Sequence, residues 1–254
     1  MNFIKNLVMF SIIVLLSSCS NIGIDNIGGC PDAEIEWVDV VMVNDIKYQH
    51  DFPDQPNEEA TLLLEKGKEI AKVTYKMADH ACSDHKMKNG DAAYLEKGTP
   101  IYELKGYPSS FMILADGKAY VAKQNKTAKT AGELYPLKGL LKNIHIESTE
   151  DGSRIHTFSA QSTQKFIDEW YQLKLEDPEA LYKKGRLEGE RVFLEMELKN
   201  AVSFRQLYWM DSNTFHVGVV GNKEIKEIIS NEYHGYHGDG SHGYIELQMK
   251  EARL

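Results

Sequence analysis

Side chains that bind transition metals are concentrated in one short polar segment. His80, Cys82, Asp84 and His85 fall within six positions of one another. Imidazole, thiolate and carboxylate are all transition-metal ligands, and a compact loop can bring three of them together without long-range folding. The spacing matches no established zinc motif. The segment is therefore interpreted either as a metal site that uses His80, Cys82 and His85 or as a solvated loop.

A second set of histidines lies near the C-terminus. His234, His237 and His242 accompany Asp239 in a stretch rich in glycine. Glycine allows imidazole rings to converge on an ion, although ordering such a segment costs conformational entropy. We expect this tail to have a modest affinity for Zn²⁺, Ni²⁺ or Cu²⁺, and plain surface disorder is the alternative interpretation.

The catalytic motifs that the sequence could contain all lack an essential residue. The serines of residues 106–111 lack the Gly-x-Ser-x-Gly elbow, and the glycines of residues 238–243 lack the lysine of a phosphate-binding loop. We therefore predict no catalytic residue and no cofactor. A cell-envelope hydrolase is the less favoured alternative, which would require His145, His156 or His216 beside an acid and a nucleophile.

The N-terminus predicts where the protein is located. Lys5 precedes an apolar run over residues 7–16, and two serines then lead to Cys19. This arrangement is typical of a secretory signal peptide, and the run is shorter than the roughly 20 apolar residues of a membrane-spanning helix. Residues 16–19, LSSC, resemble the bacterial lipobox, whose cysteine is lipidated and becomes the first residue of the mature protein.

The lipobox resemblance implies a membrane anchor. Residues 1–18 would be a lipoprotein signal peptide, and Cys19 would carry the lipid. The expected diacylglycerol supplies at least two acyl chains, which anchor a protein stably where one chain binds only marginally. We therefore expect the protein at the cell membrane, on its extracytoplasmic face.

The net charge narrows the range of partners. It is −9 for the whole chain, and loss of Lys5 with the leader makes the mature part more acidic still. This balance argues against a nucleic-acid partner and against broad electrostatic adhesion to anionic lipid. Besides the membrane reached through lipid, the expected partner is an envelope protein, a wall polymer or a small ligand.

The chain has three cysteines, and with Cys19 lipidated only Cys30 and Cys82 remain. Outside the membrane these two could form one disulfide. Cys30 lies in the expected tether, so the pairing stays an alternative to two free thiols. One disulfide is too few to build a scaffold, so a hydrophobic core must supply most of the stability.

The sequence of the first half of the mature chain predicts mainly β-strands. Residues 35–50 predict a hairpin that turns at Asn44-Asp45, and residues 61–77 favour strands around a turn at 66–68. Residues 91–124 predict a four-stranded antiparallel meander, because Asp116-Gly117 between apolar runs is a strong hairpin signal.

The second half mixes strands with two helices. A hairpin is expected around residues 149–153, and helices near 162–175 and 222–231. Residues 191–199 predict a half-buried strand, with Glu195 and Glu197 on its exposed face.

Together these patterns predict an α+β fold, predominantly antiparallel β, in two small β-rich modules. The expected segments are a flexible tether at 19–34, a β-rich module at 35–124, a boundary segment at 125–139, an α+β module at 140–232 and a His/Gly-rich tail at 233–254.

Two stretches extend the resemblance beyond the leader. Residues 90–107 and 191–218 look like a group of uncharacterised cell-surface lipoproteins of Gram-positive bacilli. The likeness spans much of the mature chain and implies the same location and a mostly β body in two parts. It implies no activity and no site residues.

Aromatic residues suggest how such a body could act. Tyrosine and phenylalanine rings make up β-sheet cores when buried and anchor protein or glycan contacts when exposed. We expect most of them in the core and a few on a binding surface. The sequence therefore predicts a membrane-anchored, non-catalytic binding or interaction module, with metal binding and hydrolysis as alternatives. The aromatic residues considered are Tyr102, Tyr107, Phe111, Tyr120, Tyr208, Trp209 and Phe215.

Replacing Cys19 with alanine should release the protein from the membrane or leave it unprocessed, because no thiol remains to carry the lipid. Immunoblots of membrane and soluble fractions would measure this, with Ser20→Ala as the matched control. Retention of normally processed Cys19→Ala protein at the membrane would contradict the anchor.

Overall fold

A computed structural model describes residues 38–50, 64–82 and 84–238. In this part of the chain, the strands form one eight-stranded and one seven-stranded sheet, accompanied by five helices. All strand pairs except one are antiparallel. The predicted fold class, α+β and predominantly antiparallel β, is confirmed.

Sheet A contains the strands of the first half, in the order β3-β6-β7-β8-β2-β1-β5-β4. Its one parallel pair is β4 with β5. A short helix, α1 (Met77–His80), follows β4. The strands are β1 (Val40–Val43), β2 (Ile46–Gln49), β3 (Lys66–Lys72), β4 (Tyr75–Lys76), β5 (Asp91–Ala92), β6 (Pro100–Leu104), β7 (Met112–Ala115) and β8 (Lys118–Asn125).

The two predicted hairpin turns of sheet A are confirmed. Asn44 and Asp45 have φ values of 51° and 61°, and β1 pairs with β2 across them. Asp116 and Gly117 have φ values of 48° and 73° and join β7 to β8. Positive φ at both central residues gives a twist that matches the flanking strands, and Asn, Asp and Gly accept it most readily.

Two details of the predicted first module are wrong. The meander has three strands, β6 to β8, because β5 pairs instead with β1 and β4. The turn expected at 66–68 is part of β3. A Cβ at Gly67 would lie 3.1 Å from the Glu103 carbonyl oxygen, so this glycine marks a close approach of β3 to β6 rather than a turn.

Sheet B contains the strands of the second half, in the order β10-β9-β12-β13-β14-β15-β11. The expected hairpin around residues 149–153 is the β9–β10 pair. The strands are β9 (Leu141–Glu147), β10 (Arg154–Thr157), β11 (Lys174–Leu175), β12 (Arg191–Leu198), β13 (Ser203–Trp209), β14 (Thr214–Phe215) and β15 (Val219–Val220).

Four more helices accompany the sheets: α2 (Ala131–Leu134), α3 (Ala160–Trp170), α4 (Pro178–Lys183) and α5 (Lys223–Gly238). Helix α3 begins after the Ser159 cap and ends before the predicted residue 175, because residues 174–175 join sheet B as β11. Helix α5 continues beyond residue 231 into the stretch expected to be unstructured tail. No helix of the described residues is long and apolar enough to cross a membrane.

The buried side chains of both sheets form a single hydrophobic cluster. Phe111 precedes β7 of sheet A, and its ring centroid lies 5.8 Å from that of Phe204 on β13 of sheet B. Tyr135 lies 5.6 Å from Phe111 and 5.0 Å from Phe204, and it stacks on Trp170. The segment 125–139, expected as a boundary, thus contributes a ring to the core that both sheets share.

Most of the aromatic residues considered from the sequence are core residues, as expected. Tyr102 and Tyr107 are half-buried. The buried ones are Phe111, Tyr120, Tyr208, Trp209 and Phe215.

Replacing Phe111 with alanine should lower the free energy of unfolding by about 3–5 kcal/mol, the range for phenylalanine truncation in a core. Because the ring contacts residues of both halves, tryptophan fluorescence and far-UV circular dichroism should change together in one transition. Urea denaturation would measure both. Tyr182→Ala is the control, since that side chain is 65% exposed and its loss should cost under about 0.5 kcal/mol. Two separate transitions in the wild type would contradict a shared core.

Candidate functional site

A groove lies where the end of β8 faces the segment that leads into α4. Its larger cavity has a volume of about 420 Å³. A second cavity of about 310 Å³ shares Lys123, Gln124, Asp177, Pro178 and Val217 with the first and extends to β2. The two cavities together are called the junction groove. Its other lining residues are Lys47, Gln49, Asn125, Lys126, Ala128, Lys129, Leu134, Leu175, Glu176, Glu179 and His216.

Backbone hydrogen bonds fix the larger cavity. The Leu175 amide donates to the Lys129 carbonyl at 3.0 Å, and Thr130 and Lys174 form an isolated β-bridge. The Glu176 amide donates to the Gly218 carbonyl at 2.9 Å. The loop after β8 is therefore joined through β11 to the end of sheet B.

Gly218 is required at its position in this wall. Its φ is +97°, and a Cβ there would lie 2.1 Å from the Glu176 carbonyl oxygen. Only glycine combines that backbone conformation with that approach. The wall formed by residues 175–178 is held by an arrangement that leaves no room for a side chain.

The carboxylates of the groove form ion pairs or hydrogen bonds with neighbouring groups. Glu176 pairs with Lys184 at 3.5 Å, and Glu179 pairs with Lys183 at 2.6 Å. The Asp177 carboxylate caps α4 by accepting a hydrogen bond from the Glu179 amide. Their negative charges are thus partly balanced within the segment that carries them.

Three lysines of the groove have no such partner. Among the described residues, no carboxylate lies within ion-pairing distance of the side chains of Lys47, Lys126 or Lys129. Lys126 and Lys129 are exposed and Lys47 is half-buried. At the Lys47 end, the exposed His216 ring stacks on Trp209, with 6.3 Å between the centroids. The apolar lining residues are Ala128, Leu134, Leu175, Pro178 and Val217, and the other lining residues are polar or charged.

A second cluster of polar side chains lies on sheet B, and it corrects a prediction. Glu195 and Glu197 were expected on an exposed face, yet each is only 7% exposed. Arg154 donates two hydrogen bonds to Glu195, at 2.5 and 2.7 Å. On the neighbouring strands, Arg205 donates to Glu147. Buried carboxylates are tolerated here because each has a cationic partner.

His145 connects three strands of this face. Its Nδ1 lies 2.8 Å from Thr157 Oγ1 and its Nε2 lies 3.0 Å from Glu197 Oε2. Burial alone would raise the pKa of Glu197, but hydrogen bonds from Lys142, Asn143 and His145 outweigh it and lower the pKa to about 2. Glu197 is therefore ionised at neutral pH.

These contacts place one histidine named in the hydrolase alternative beside an acid and a hydroxyl. A carboxylate, an imidazole and a hydroxyl in sequence can activate the hydroxyl as a nucleophile. The Glu197 carboxylate, however, is shared with Lys142 and Asn143, and the contacts of His145 tie β9 to β10 and β12. The arrangement is the kind that holds strands in register.

The other two histidines have different surroundings. His156 Nε2 lies 2.6 Å from Glu232 Oε2, and the other oxygen of Glu232 accepts hydrogen bonds from the amide and hydroxyl of Ser159. Burial opposes ionisation of Glu232, but hydrogen bonds from His156, Ser162 and Ser159 lower its pKa. Glu232 thereby fixes α5 at the start of α3. His216 lies in the junction groove.

Of the three ligands expected in the metal site around Cys82, the side chains of Cys82 and His85 lie among the described residues. Cys82 is disulfide-bonded, so it has no thiolate to offer a metal ion. The His85 amide donates to the Cys82 carbonyl at 3.0 Å, which forms a turn. No group of three or more potential metal ligands occurs among residues 38–50, 64–82 and 84–238.

The remaining sequence predictions fall largely outside the described residues. His234 is exposed on α5, where its ring contacts Tyr233 edge-on at 5.6 Å. The candidate residues that lie outside the described part of the chain are Cys19, Cys30 and His242, and the side chains of His80 and His237 lie outside it as well.

Replacing Glu197 with glutamine should lower the free energy of unfolding at pH 7 by about 1.5–3 kcal/mol, the range for hydrogen bonds to charged groups. The pKa of Glu197 is about 2 in the folded protein, against an ordinary value of 4.5. The stabilisation is therefore fully present above the ordinary value and is lost as the pH falls toward 2. The difference between wild type and variant should shrink below about pH 4.5.

Urea denaturation of both proteins between pH 7 and pH 3 would measure that difference. Glu227→Gln is the matched control, because its pair with Lys223 is exposed and should contribute under about 0.5 kcal/mol. A difference for Glu197→Gln that does not vary with pH would contradict the assigned charge state.

None of the protein-family models, curated proteins or solved structures compared with this chain matches it. Its function is therefore inferred from the geometry of the junction groove.

Proposed function

We propose that the protein is a lipid-anchored extracytoplasmic binding protein and that the junction groove is its ligand site. The observation that carries the proposal is the pair of adjoining cavities, about 420 and 310 Å³ in volume, whose lining combines five apolar residues with three lysines that have no carboxylate partner among the described residues. Ligand sites commonly have volumes of about 300–1,000 Å³ and lie where structural layers meet.

The rigidity of the groove supports this proposal. One wall includes the end of β8 in sheet A, the other follows β11 in sheet B, and the hydrogen bond from the Leu175 amide to the Lys129 carbonyl joins the two. A site whose walls are already fixed loses little conformational entropy when it binds a ligand. A binding function is favoured over catalysis because the His145 contacts have an evident structural role.

The proposed anchor would keep the groove in the cell envelope. A lipid on Cys19 would hold the body near the membrane, and the acidic surface of the chain would keep it from adhering to anionic headgroups. Partners would then be selected by the groove rather than by overall charge.

We also propose that the disulfide of Cys82 pairs with Cys30. The chain has three cysteines, Cys82 is disulfide-bonded, and a lipidated Cys19 would have no thiol left. This covalent bond would tie the end of the proposed tether to the segment around Cys82.

Replacing Gln124 with tryptophan should block the groove, because Gln124 is exposed and lines both cavities. A panel of envelope compounds, comprising wall glycans, muropeptides, envelope peptides and polyol phosphates, would be screened by thermal denaturation. A ligand at 100 times its Kd stabilises the folded state by about 2.7 kcal/mol, which raises the Tm by several degrees.

The expected result is a ligand that raises the Tm of wild type but not of Gln124→Trp. Gln124→Ala is the matched control and should keep the response, since it leaves the groove open. Binding that Gln124→Trp leaves unchanged, or a panel without any ligand, would contradict the proposal.

A further inference from the structure

Lys47, Lys126 and Lys129, which have no carboxylate partner among the described residues, are distributed along the junction groove rather than gathered at one point. Lys126 and Lys129 line only the larger cavity, whereas Lys47 lines only the smaller one. A ligand that follows the groove would therefore meet the ammonium groups of Lys126 and Lys129 in the larger cavity and that of Lys47 in the smaller one.

The groove differs in charge from the rest of the molecule. The chain has 38 acidic against 29 basic residues, whereas the groove lining has four lysines against the three carboxylates of Glu176, Asp177 and Glu179. Glu176 and Glu179 are each paired with a lysine from α4 or the residue after it. The side chains of Lys47, Lys126 and Lys129 are left to face the groove. Positive charge in a concave site with low-dielectric walls attracts anions more strongly than the same charge on an open surface.

From this distribution we infer that the ligand is a linear polyanion of the cell envelope, with phosphodiester or carboxylate charges on a polyol or sugar chain. The inference rests on the proposed function of the groove. A single phosphate would occupy only a small part of the two cavities, whose lining carries Lys47 on β2, Lys126 after β8 and Lys129 in the loop that follows. A lysine ammonium is a compact point charge without the fixed fork of arginine, so it tolerates anions at variable spacing along a chain.

The concave shape of the junction groove favours a polymer chain over a membrane surface as the ligand. A bilayer presents a flat array of headgroups, whereas the lysines of the junction groove line two adjoining concave cavities of about 420 and 310 Å³. Pro178 and Val217, the apolar residues common to both cavities, would contact the uncharged backbone of the polymer. Charge and shape thus favour one chain over a surface.

The test uses the full chain, purified in detergent with its anchor, and fluorescence anisotropy with labelled polymers. The probes are poly(glycerol phosphate), polygalacturonate, neutral dextran and a single-stranded oligothymidylate, with glycerol 3-phosphate as a competing monomer. The first two probes distinguish phosphate from carboxylate as the source of charge. We expect one or both to bind at least about a hundredfold more tightly than the monomer, because several lysines act together.

The variants are Lys47→Gln, Lys126→Gln and Lys129→Gln, singly and combined. Each single change should weaken binding about fivefold, given the usual contribution of one basic residue near an anionic surface. The triple variant should lose on the order of a hundredfold, and its affinity should depend less steeply on salt, because fewer counterions are released. Lys68→Gln and Lys165→Gln are matched controls, since both are exposed outside the groove and should leave affinity unchanged.

Several outcomes would overturn the inference. The first three are dextran binding as tightly as the polyanions, the oligonucleotide binding more tightly than they do, and glycerol 3-phosphate competing as well as the polymer per phosphate group. The other two are an unchanged affinity in the triple variant and no binding of either polyanion. A neutral ligand that is lost in Gln124→Trp would overturn this inference while sustaining the proposed binding function. The single variants keep the test decisive if the triple variant fails to fold.

Discussion

The packing of Tyr135 between the two sheets is the contact on which the rest of the structure depends. Its ring stacks on Trp170 and contacts both Phe111 and Phe204. Trp170 Nε1 also donates to the Tyr135 carbonyl at 3.1 Å, so both the ring and the backbone are held. Because the loop that lines the junction groove lies just before Tyr135, this contact also determines where the groove forms.

Local signals were enough to predict much of the fold. Asn44-Asp45 and Asp116-Gly117 specify their turns through backbone conformations that few other residues accept, and Ser159 caps its helix with its own side chain. The errors arose where a distant strand decides the outcome. Gly67 lies in a strand because Glu103 approaches it, and β5 pairs with strands far away in sequence. No window of neighbouring residues contains that information.

The polar sites were harder to predict, for a related reason. Glu195 and Glu197 alternate with apolar residues as exposed side chains do, and their burial depends on Arg154 and on His145 from other strands. Charge alternation alone therefore cannot separate a solvated face from a buried network. No sequence pattern distinguishes the lysines of the junction groove from other lysines. Only the pairing of β8 with β2 and the placement of β11 bring them into one groove.

The residues that line the groove are spread over most of the chain, which limits when the proposed ligand could bind. Its lining runs from Lys47 to Val217, so every fragment that ends before Val217 lacks part of the groove. An unfolded chain, or one that ends before Val217, would therefore lack the proposed ligand site, and occupancy of that site would require that residues 47–217 have been synthesised and folded. For a chain that crosses a membrane unfolded, such a dependence would confine ligand capture to the compartment in which folding takes place.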